Sequence, residues 1–276
     1  MAFTEVVDTN NSPVVGEYVT NGTQTIMDGG VTSGGSISGA EGSAAIIVSS
    51  GGKVYDLQVN GPNTMIYLRG GELINAQIEN LDPAWYTGDG VFAHMQFSAG
   101  VIENCYFKYG MLTTVGDNGQ IVKNCILSGD EMVNNQGLHY TNFRMGAGVM
   151  SNCTVTGYGN LLFGYGNVDG HNFSPVAYNT IVTGNGNVDL RENAILYDTY
   201  MNGGKITAAG KCSGTVIDNG TMNVVTTGSI YDTVMNGGTL MVSKTEGVAI
   251  DGATLKGGIF QLGASGCIIK NVTAEN

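Results

Sequence analysis

Two stretches of the chain decide its fold: Val122–Gly129 reads VKNCILSG, and Met150–Gly157 reads MSNCTVTG. Both follow one eight-residue pattern: an apolar residue, any residue, Asn, a small residue, any residue, an apolar residue, any residue and Gly. Closely related segments, some with Asp or Gly in place of the Asn, begin at Ala177 (AYNTIVTG), Leu196 (LYDTYMNG), Ile230 (IYDTVMNG) and Ile250 (IDGATLKG). Looser copies begin at Val54, Ile74, Ile102, Cys212 and Ile268. The chain is therefore built from tandem repeats.

The repeat length favours a β-helix. Successive copies start 16 to 20 residues apart, except where three insertions lengthen the interval by about eight residues. This period is too short for a propeller blade, and the repeats are too rich in β-branched residues and Gly for helical units. We predict an all-β, single-stranded right-handed parallel β-helix (β-solenoid) of about 11–13 coils. We expect one domain over residues 1–276, with long loop insertions in the central coils at 81–178.

The repeat also predicts which side chains face inward. Alternate residues of a strand point to opposite sides, so the small residue after Asn or Asp and the apolar residue two positions later point into the coil. Stacked coils place equivalent residues over one another. We therefore expect an interior ladder of Cys105, Cys125, Cys153, Thr180, Thr199, Thr215 and Thr233. We expect Asn104, Asn124, Asn152, Asn179, Asp198 and Asp232 to stack at one corner, where left-handed backbone geometry is tolerated. The cysteines are interpreted as core residues, because buried thiols behave as small hydrophobes.

Composition excludes several classes of protein. Glycine is abundant, with 44 residues, but it has no G-X-Y period, and the 42% hydrophobic content is too high for a disordered linker. With 23 acidic and 11 basic residues, a net charge of -12 disfavours nucleic acid and anionic lipid as partners. No apolar run approaches the roughly 20 residues that span a bilayer, and the N-terminus lacks a secretory signal pattern. We expect neither nucleic-acid binding nor membrane insertion by this chain.

Two segments resemble the Gly-rich repeats of AIDA-type autotransporter adhesin passengers: Asn21–Gly39 (NGTQTIMDGGVTSGGSISG) and Gly214–Val242 (GTVIDNGTMNVVTTGSIYDTVMNGGTLMV). The resemblance covers about residues 14–80 and 195–276. It implies an extracellular or cell-surface β-solenoid that acts as a non-catalytic display or structural module. Open solenoid ends also expose strand edges, which predicts a homo-oligomer or an end-to-end fibre.

The middle of the chain, about residues 81–194, is more similar to pectin-lyase-type β-helices, which include polysaccharide-cleaving enzymes and phage tailspikes. Polygalacturonase-like enzymes pair carboxylates as acid and base, and the nearest match here is DGHNF at Asp169–Phe173, without a neighbouring Asp pair. Pectate-lyase-like sites combine a calcium-binding carboxylate cluster with a basic residue. Arg144 and Arg191 are the only arginines in this region. We assign no catalytic residue, cofactor or metal.

Three insertions interrupt the period: Leu81–Gly100, Gly129–Gly148 and Gly157–Tyr178. They contain the only Trp and all three His, and we expect them to project from one side of the solenoid. Function concentrates on loops held by a rigid scaffold, and exposed aromatic residues beside Asn and Asp suit a neutral sugar or a protein surface. Alternatively, these aromatics cover the core or contact a neighbouring chain. The candidate ligand-binding residues are Trp85, Tyr86, His94, His139, Tyr140, Arg144, Tyr165 and His171.

Overall fold

The computed structural model describes residues 3–39, 42–61, 63–79, 93–108, 110–116, 119–130, 139–164, 167–168, 171–172, 174–243, 247–263 and 265–275. Strands dominate this part of the chain, and they wind into a parallel β-solenoid. The predicted fold class is confirmed. No helix in the described ranges has the length and apolar character needed to cross a membrane.

The strands follow one another along the chain with short connections. They are β1 (Phe3–Val7), β2 (Val14–Val15), β3 (Tyr18–Val19), β4 (Gly22–Ile26), β5 (Val31–Ser33), β6 (Ser36–Ile37), β7 (Ala44–Ser49), β8 (Lys53–Tyr55), β9 (Gln58–Asn60), β10 (Thr64–Ile74), β11 (Gln77–Glu79), β12 (Ala93–Glu103), β13 (Tyr106–Lys108), β14 (Gly110–Thr114), β15 (Ile121–Lys123), β16 (Ile126–Asp130), β17 (His139–Tyr140), β18 (Asn142–Met145), β19 (Val149–Ser151), β20 (Thr154–Val155), β21 (Asn160–Phe163), β22 (Asn167–Val168), β23 (His171–Asn172), β24 (Val176–Tyr178), β25 (Ile181–Leu190), β26 (Ile195–Tyr197), β27 (Tyr200–Ala208), β28 (Lys211–Ser213), β29 (Val216–Val224), β30 (Ser229–Met235), β31 (Thr239–Val242), β32 (Gly247–Leu255), β33 (Ile259–Leu262) and β34 (Cys267–Ala274).

Parallel pairing between successive coils sorts these strands into three faces. The first face contains β2, β5, β8, β15, β19, β24, β26 and β28, with parts of β10, β12, β30, β32 and β34. The second face contains β3, β6, β9, β11, β13, β16 and β20, with parts of β25, β27, β29, β30, β32 and β34. The third face contains β1, β4, β7, β14, β18, β21, β31 and β33, with parts of β10, β12, β25, β27 and β29. Each coil thus contributes one strand segment to each face.

The corner between the first and second faces has the same backbone geometry in every coil. Its residue has a positive φ, between 49° and 76°. These residues are Gly16, Gly34, Asp56, Asn75, Asn104, Asn124, Asn152, Asn179, Asp198, Gly214, Asp232, Gly252 and Asn271. Only Gly, Asn and Asp visit this left-handed region readily, so the repeat carries them there. The thirteen corners fall within the predicted range of about 11–13 coils, and stacking at about 4.8 Å makes a rod about 60 Å long.

Amide side chains connect neighbouring corners. The Asn152 Nδ2 group donates to Asn124 Oδ1 at 3.3 Å, and Asn179 Nδ2 donates to Asn152 Oδ1 at 3.0 Å. Corner backbones from Gly16 to Gly214 also bond to the next coil, as where the Asn124 N–H group donates to the Ser151 carbonyl oxygen. The corner is therefore held by backbone and side-chain bonds together.

The residue after this corner points into the core. Cys105, Cys125, Cys153, Thr180, Thr199, Thr215 and Thr233 stand there in successive coils, and each is at most 1% exposed. The Cys125 N–H group donates to Cys153 Sγ at 3.4 Å, which fixes the two residues one above the other. The hydroxyls of Thr180, Thr199 and Thr215 are buried without a hydrogen-bond partner. Aliphatic and Phe side chains from all three faces fill the rest of the interior.

The register differs from the sequence prediction at a few coils. The copy predicted to start at Ile74 starts at Leu73, and the last starts at Ile269, which pairs with Ile250. Two further coils lie at the N-terminal end, with corners at Gly16 and Gly34. The Asn/Asp pattern missed these coils because Gly replaces Asn or Asp at the same left-handed position.

Candidate functional site

The structure places the predicted binding residues on different elements. His94 lies on β12, His139 and Tyr140 on β17, Arg144 on β18 and His171 on β23. Trp85, Tyr86 and Tyr165 lie outside the described residues. Much of each predicted insertion is regular strand, because β12, β18, β21 and β24 occupy its flanks.

The strands that flank the insertions show where each one leaves the solenoid. Residues 80–92 connect β11 to β12, and residues 131–138 connect β16 to β17, so both leave the corner between the second and third faces. Residues 165–173 connect β21 to β24 at the corner between the third and first faces, where β22 and β23 pair as an antiparallel hairpin. The strands that flank the three insertions therefore lie at two corners of the solenoid. These two corners are the borders of the third face.

The third face of the central coils carries an outward row of amides. Asn142, Asn160 and Asn187 are in register on β18, β21 and β25. The Asn160 Nδ2 group donates to Asn142 Oδ1 at 2.9 Å, and Asn187 Nδ2 donates to Asn160 Oδ1 at 2.7 Å. His94 is in register with the same column, since it pairs with Met111 and Met111 pairs with Asn142. We call this column, together with the neighbouring outward row of Arg144, Leu162 and Asp189, the amide face.

A second row runs beside the amides. It contains Arg144, Leu162 and Asp189, which are in register with one another. Arg144 is exposed, while Leu162 and Asp189 are half-buried. The amide face therefore offers uncharged donors and acceptors, one cation, one carboxylate and one apolar side chain on a flat sheet. Arg144 was predicted from the sequence, whereas Asn142, Asn160 and Asn187 were missed as site residues.

The edge on the other side of the solenoid is apolar. Ile121, Val149 and Tyr178 on the first face and Ile126 and Ile181 on the second face are each 41–42% exposed, and they flank the Asn corner of three successive coils. We call this the apolar edge. The central coils thus present polar groups on the third face and aliphatic groups on the edge opposite to it.

A hydrogen-bonded group centred on the carboxylate of Asp218 lies on the second face. The Tyr200 hydroxyl donates to Asp218 Oδ2 at 2.6 Å, and Asn236 Nδ2 donates to Asp218 Oδ1 at 2.6 Å. These two bonds hold the pKa of Asp218 below its usual value, and the bond to Asp218 raises the pKa of Tyr200. All three side chains are at the surface, where such bonds contribute little to stability.

Two of the buried cysteines, Cys125 and Cys212, are poor candidates for chemistry. Hydrogen bonds to Cys105 and Cys153, with burial, raise the pKa of the Cys125 thiol well above its usual value. Burial alone raises the pKa of Cys212 to about 12. Cys267 is half-buried. A thiol reacts as its thiolate, so Cys125 and Cys212 are held in the unreactive form.

Comparison with known proteins bears on the fold. No protein-family model matches the chain, and no curated protein matches it significantly. Among solved structures, it is similar to the crystal structure of a TibC-catalysed hyper-glycosylated fragment of TibA, with 18% sequence identity and a TM-score of 0.70. The match covers 99% of this chain and 92% of that one. The chain therefore has the β-helix fold that the resemblance of its repeats to AIDA-type passengers implied.

Proposed function

We propose that this chain is a non-catalytic, adhesin-like β-solenoid at the cell surface or outside the cell, and that its amide face binds a neutral glycan. The observation that carries the proposal is the Asn142–Asn160–Asn187 ladder on the face that all three insertions border. An extended glycan lying along this face would meet a new amide at each coil, about every 4.8 Å.

The chemistry of the amide face supports an uncharged, hydroxyl-rich ligand. Each amide both donates and accepts, so a sugar hydroxyl finds a partner whichever way it is oriented. The net charge of -12 disfavours polyanionic glycans. Aromatic residues of the insertions, including Trp85, Tyr86 and Tyr165, would contact the apolar faces of the sugar rings.

The rigidity of the rod supports a display role. The solenoid has one continuous hydrophobic core and no break in the parallel pairing between successive coils of the described chain. A binding face on such a scaffold is preorganised, which lowers the entropy lost on binding.

Binding to a glycan array and to cells tests this proposal. We expect Trp85→Ala, Tyr165→Ala and Arg144→Ala each to weaken binding, while Gln77→Ala, an exposed change on the second face, leaves it unaffected. Equal binding by all four variants would overturn the assignment of the amide face. Release of reducing or unsaturated ends from a polysaccharide panel would instead favour a pectin-lyase-type enzyme.

Self-association is a second proposal, and the apolar edge favours it. Exposed apolar side chains concentrated on one edge mark a contact surface, and here Ile121 pairs with Val149 while Thr154 separates Ile126 from Ile181. We propose that two copies associate side by side through Ile121, Ile126, Val149 and Ile181. Light scattering at high concentration tests this: Ile126→Thr combined with Ile181→Thr should shift an oligomer towards monomer. A wild-type chain that stays monomeric at every concentration would contradict it.

A further inference from the structure

A groove on the corner between the third and first faces lies outside the amide face. The chain crosses this corner at residues 191–194 between β25 and β26, at 209–210 between β27 and β28, and at 225–228 between β29 and β30. The middle crossing is two residues shorter than its neighbours. The corner is therefore notched at this coil, and the notch has a volume of about 300 Å³.

The floor of the groove is fixed backbone. Gly210 is buried there, and a Cβ atom added to it would lie 2.3 Å from the Arg191 carbonyl oxygen and 2.4 Å from that of Ala194. Only Gly permits this close approach of neighbouring coils. The floor of the groove is thus set by the close approach of neighbouring coils, while Glu192 and Thr227 lie on the turns that cross the corner on either side of it.

The walls carry charged and hydroxyl groups. Glu192, Lys211, Thr227, Ser229 and Tyr231 line the groove together with Gly210. The Lys211 ammonium lies 4.7 Å from the centroid of the Tyr231 ring, so a cation–π contact positions it. The Thr227 hydroxyl donates to the Ala209 carbonyl oxygen at 2.8 Å, which orients this side chain.

The two charges of the groove do not neutralise each other. Within the described part of the chain, neither Glu192 nor Lys211 takes part in an ion pair. A carboxylate and an ammonium in one groove offer a strong acceptor and a strong donor to the same ligand. Although the two groups are not paired, they are one negative and one positive, so the groove carries no net charge and favours neither an anion nor a cation.

We propose that this groove binds one neutral sugar residue, such as the end of a glycan chain. Glu192 accepts hydrogen bonds from neighbouring hydroxyls, Lys211 donates to a hydroxyl or ring oxygen, and Thr227 and Ser229 complete the set. Small-molecule sites measure roughly 300–1,000 Å³, so the groove has room for a single sugar unit. Its polar lining favours a hydroxyl-rich ligand over an apolar one.

This inference does not depend on the amide face. The groove lies beyond the amide column, and none of its lining residues belongs to the insertions. It would add a second binding site on the same rod, and two linked sites raise the avidity for a multivalent surface.

Saturation-transfer NMR and calorimetry with a panel of neutral methyl glycosides test the groove on the whole chain. We expect Lys211→Met and Glu192→Gln each to weaken the affinity for the best glycoside about tenfold or more, because each removes a charge-assisted hydrogen bond. Matched changes elsewhere, Lys270→Met on the first face and Glu79→Gln on the second, should leave it unchanged. Circular dichroism and the unfolding midpoint show whether each variant is folded.

Two results would overturn the proposal: no glycoside binds at millimolar concentration, or Lys211→Met and Glu192→Gln bind as well as the wild type. Neither result bears on the amide face, which is tested with Trp85, Tyr165 and Arg144 variants against arrays and cells. Loss of glycoside binding in the groove variants, with cell binding retained, would support two separate sites.

Discussion

Replacing Thr199 with Val should stabilise the protein. Thr199 is 1% exposed on the interior ladder, and its hydroxyl has no hydrogen-bond partner. Val has almost the same shape and the same β-branching, so it fits the site without new strain. The substitution removes a buried polar group that nothing compensates, and it puts a methyl group in the dry core.

The size of the effect follows from these two changes. A buried hydroxyl without a partner costs about 1–3 kcal/mol, and a buried methyl group contributes about 0.8 kcal/mol. The entropy of the two side chains is similar, so it does not offset this gain. We expect the free energy of unfolding to rise by about 2–4 kcal/mol.

Guanidinium unfolding, followed by circular dichroism, measures this change. The comparison requires an unchanged m-value, because repeat arrays lose cooperativity when one region melts alone. Thr207→Val is the matched control: Thr207 is half-buried, lies in the outward row of the third face on β27, and its substitution should change the free energy by less than about 0.5 kcal/mol. A lower free energy of unfolding for Thr199→Val would refute the inward, unpartnered placement of this hydroxyl.

Three further predictions address the coil contacts, the surface cluster and the thiols. Gly159→Ala should destabilise the protein by more than about 3 kcal/mol, because the added Cβ would lie 2.3 Å from the Leu127 carbonyl oxygen. Gly263→Ala, whose Cβ would have its nearest atom at 3.5 Å, should be tolerated, and thermal unfolding compares the two variants. In an NMR titration, the carboxyl of Asp218 should titrate below its usual pKa of 3.8, and Tyr200→Phe should raise that value. Any stability that Asp218 contributes is present above its unfolded pKa and is lost as the pH falls through its lower folded pKa. Equal Asp218 pKa values in the wild type and in Tyr200→Phe would contradict the hydrogen bond. A thiol reagent should label only Cys267 in the folded protein and all five cysteines after denaturation, and rapid labelling of further native thiols would show that the ladder is open to solvent.

The corner residues explain why so much of the fold could be read from the sequence. A left-handed turn once per coil restricts its residue to Gly, Asn or Asp, and the parallel stack repeats that restriction at nearly constant spacing. Asn104, Asn124 and Asn152 therefore revealed both the period and the inward direction of the residue that follows. The same rule hid the first two coils, where Gly16 and Gly34 occupy the corner and cannot be distinguished from other glycines of the chain.

The candidate site was less predictable than the fold. The amides of Asn142, Asn160 and Asn187 lie far apart in the sequence, and only the register of three coils brings them into one column. The groove beside Lys211 did leave a signal. The copies at Leu196 and Cys212 are 16 residues apart, the shortest interval in the chain, and the missing residues come from the crossing at Gly210. A shortened repeat thus indicates a notch in the edge of a solenoid.

The central claim is that residues far apart in sequence stand in one straight column. Gln77, Tyr106, Ile126, Thr154, Ile181 and Tyr200 form such a column on the second face, with five coil steps between the first and the last. Spin labels at Gln77→Cys and Tyr200→Cys, in a chain that also carries Cys267→Ser, test it by pulsed electron resonance. The solenoid predicts a narrow distribution centred near about 24 Å, which is five spacings of about 4.8 Å. A broad distribution, or a mean displaced by about 10 Å or more, would contradict the register.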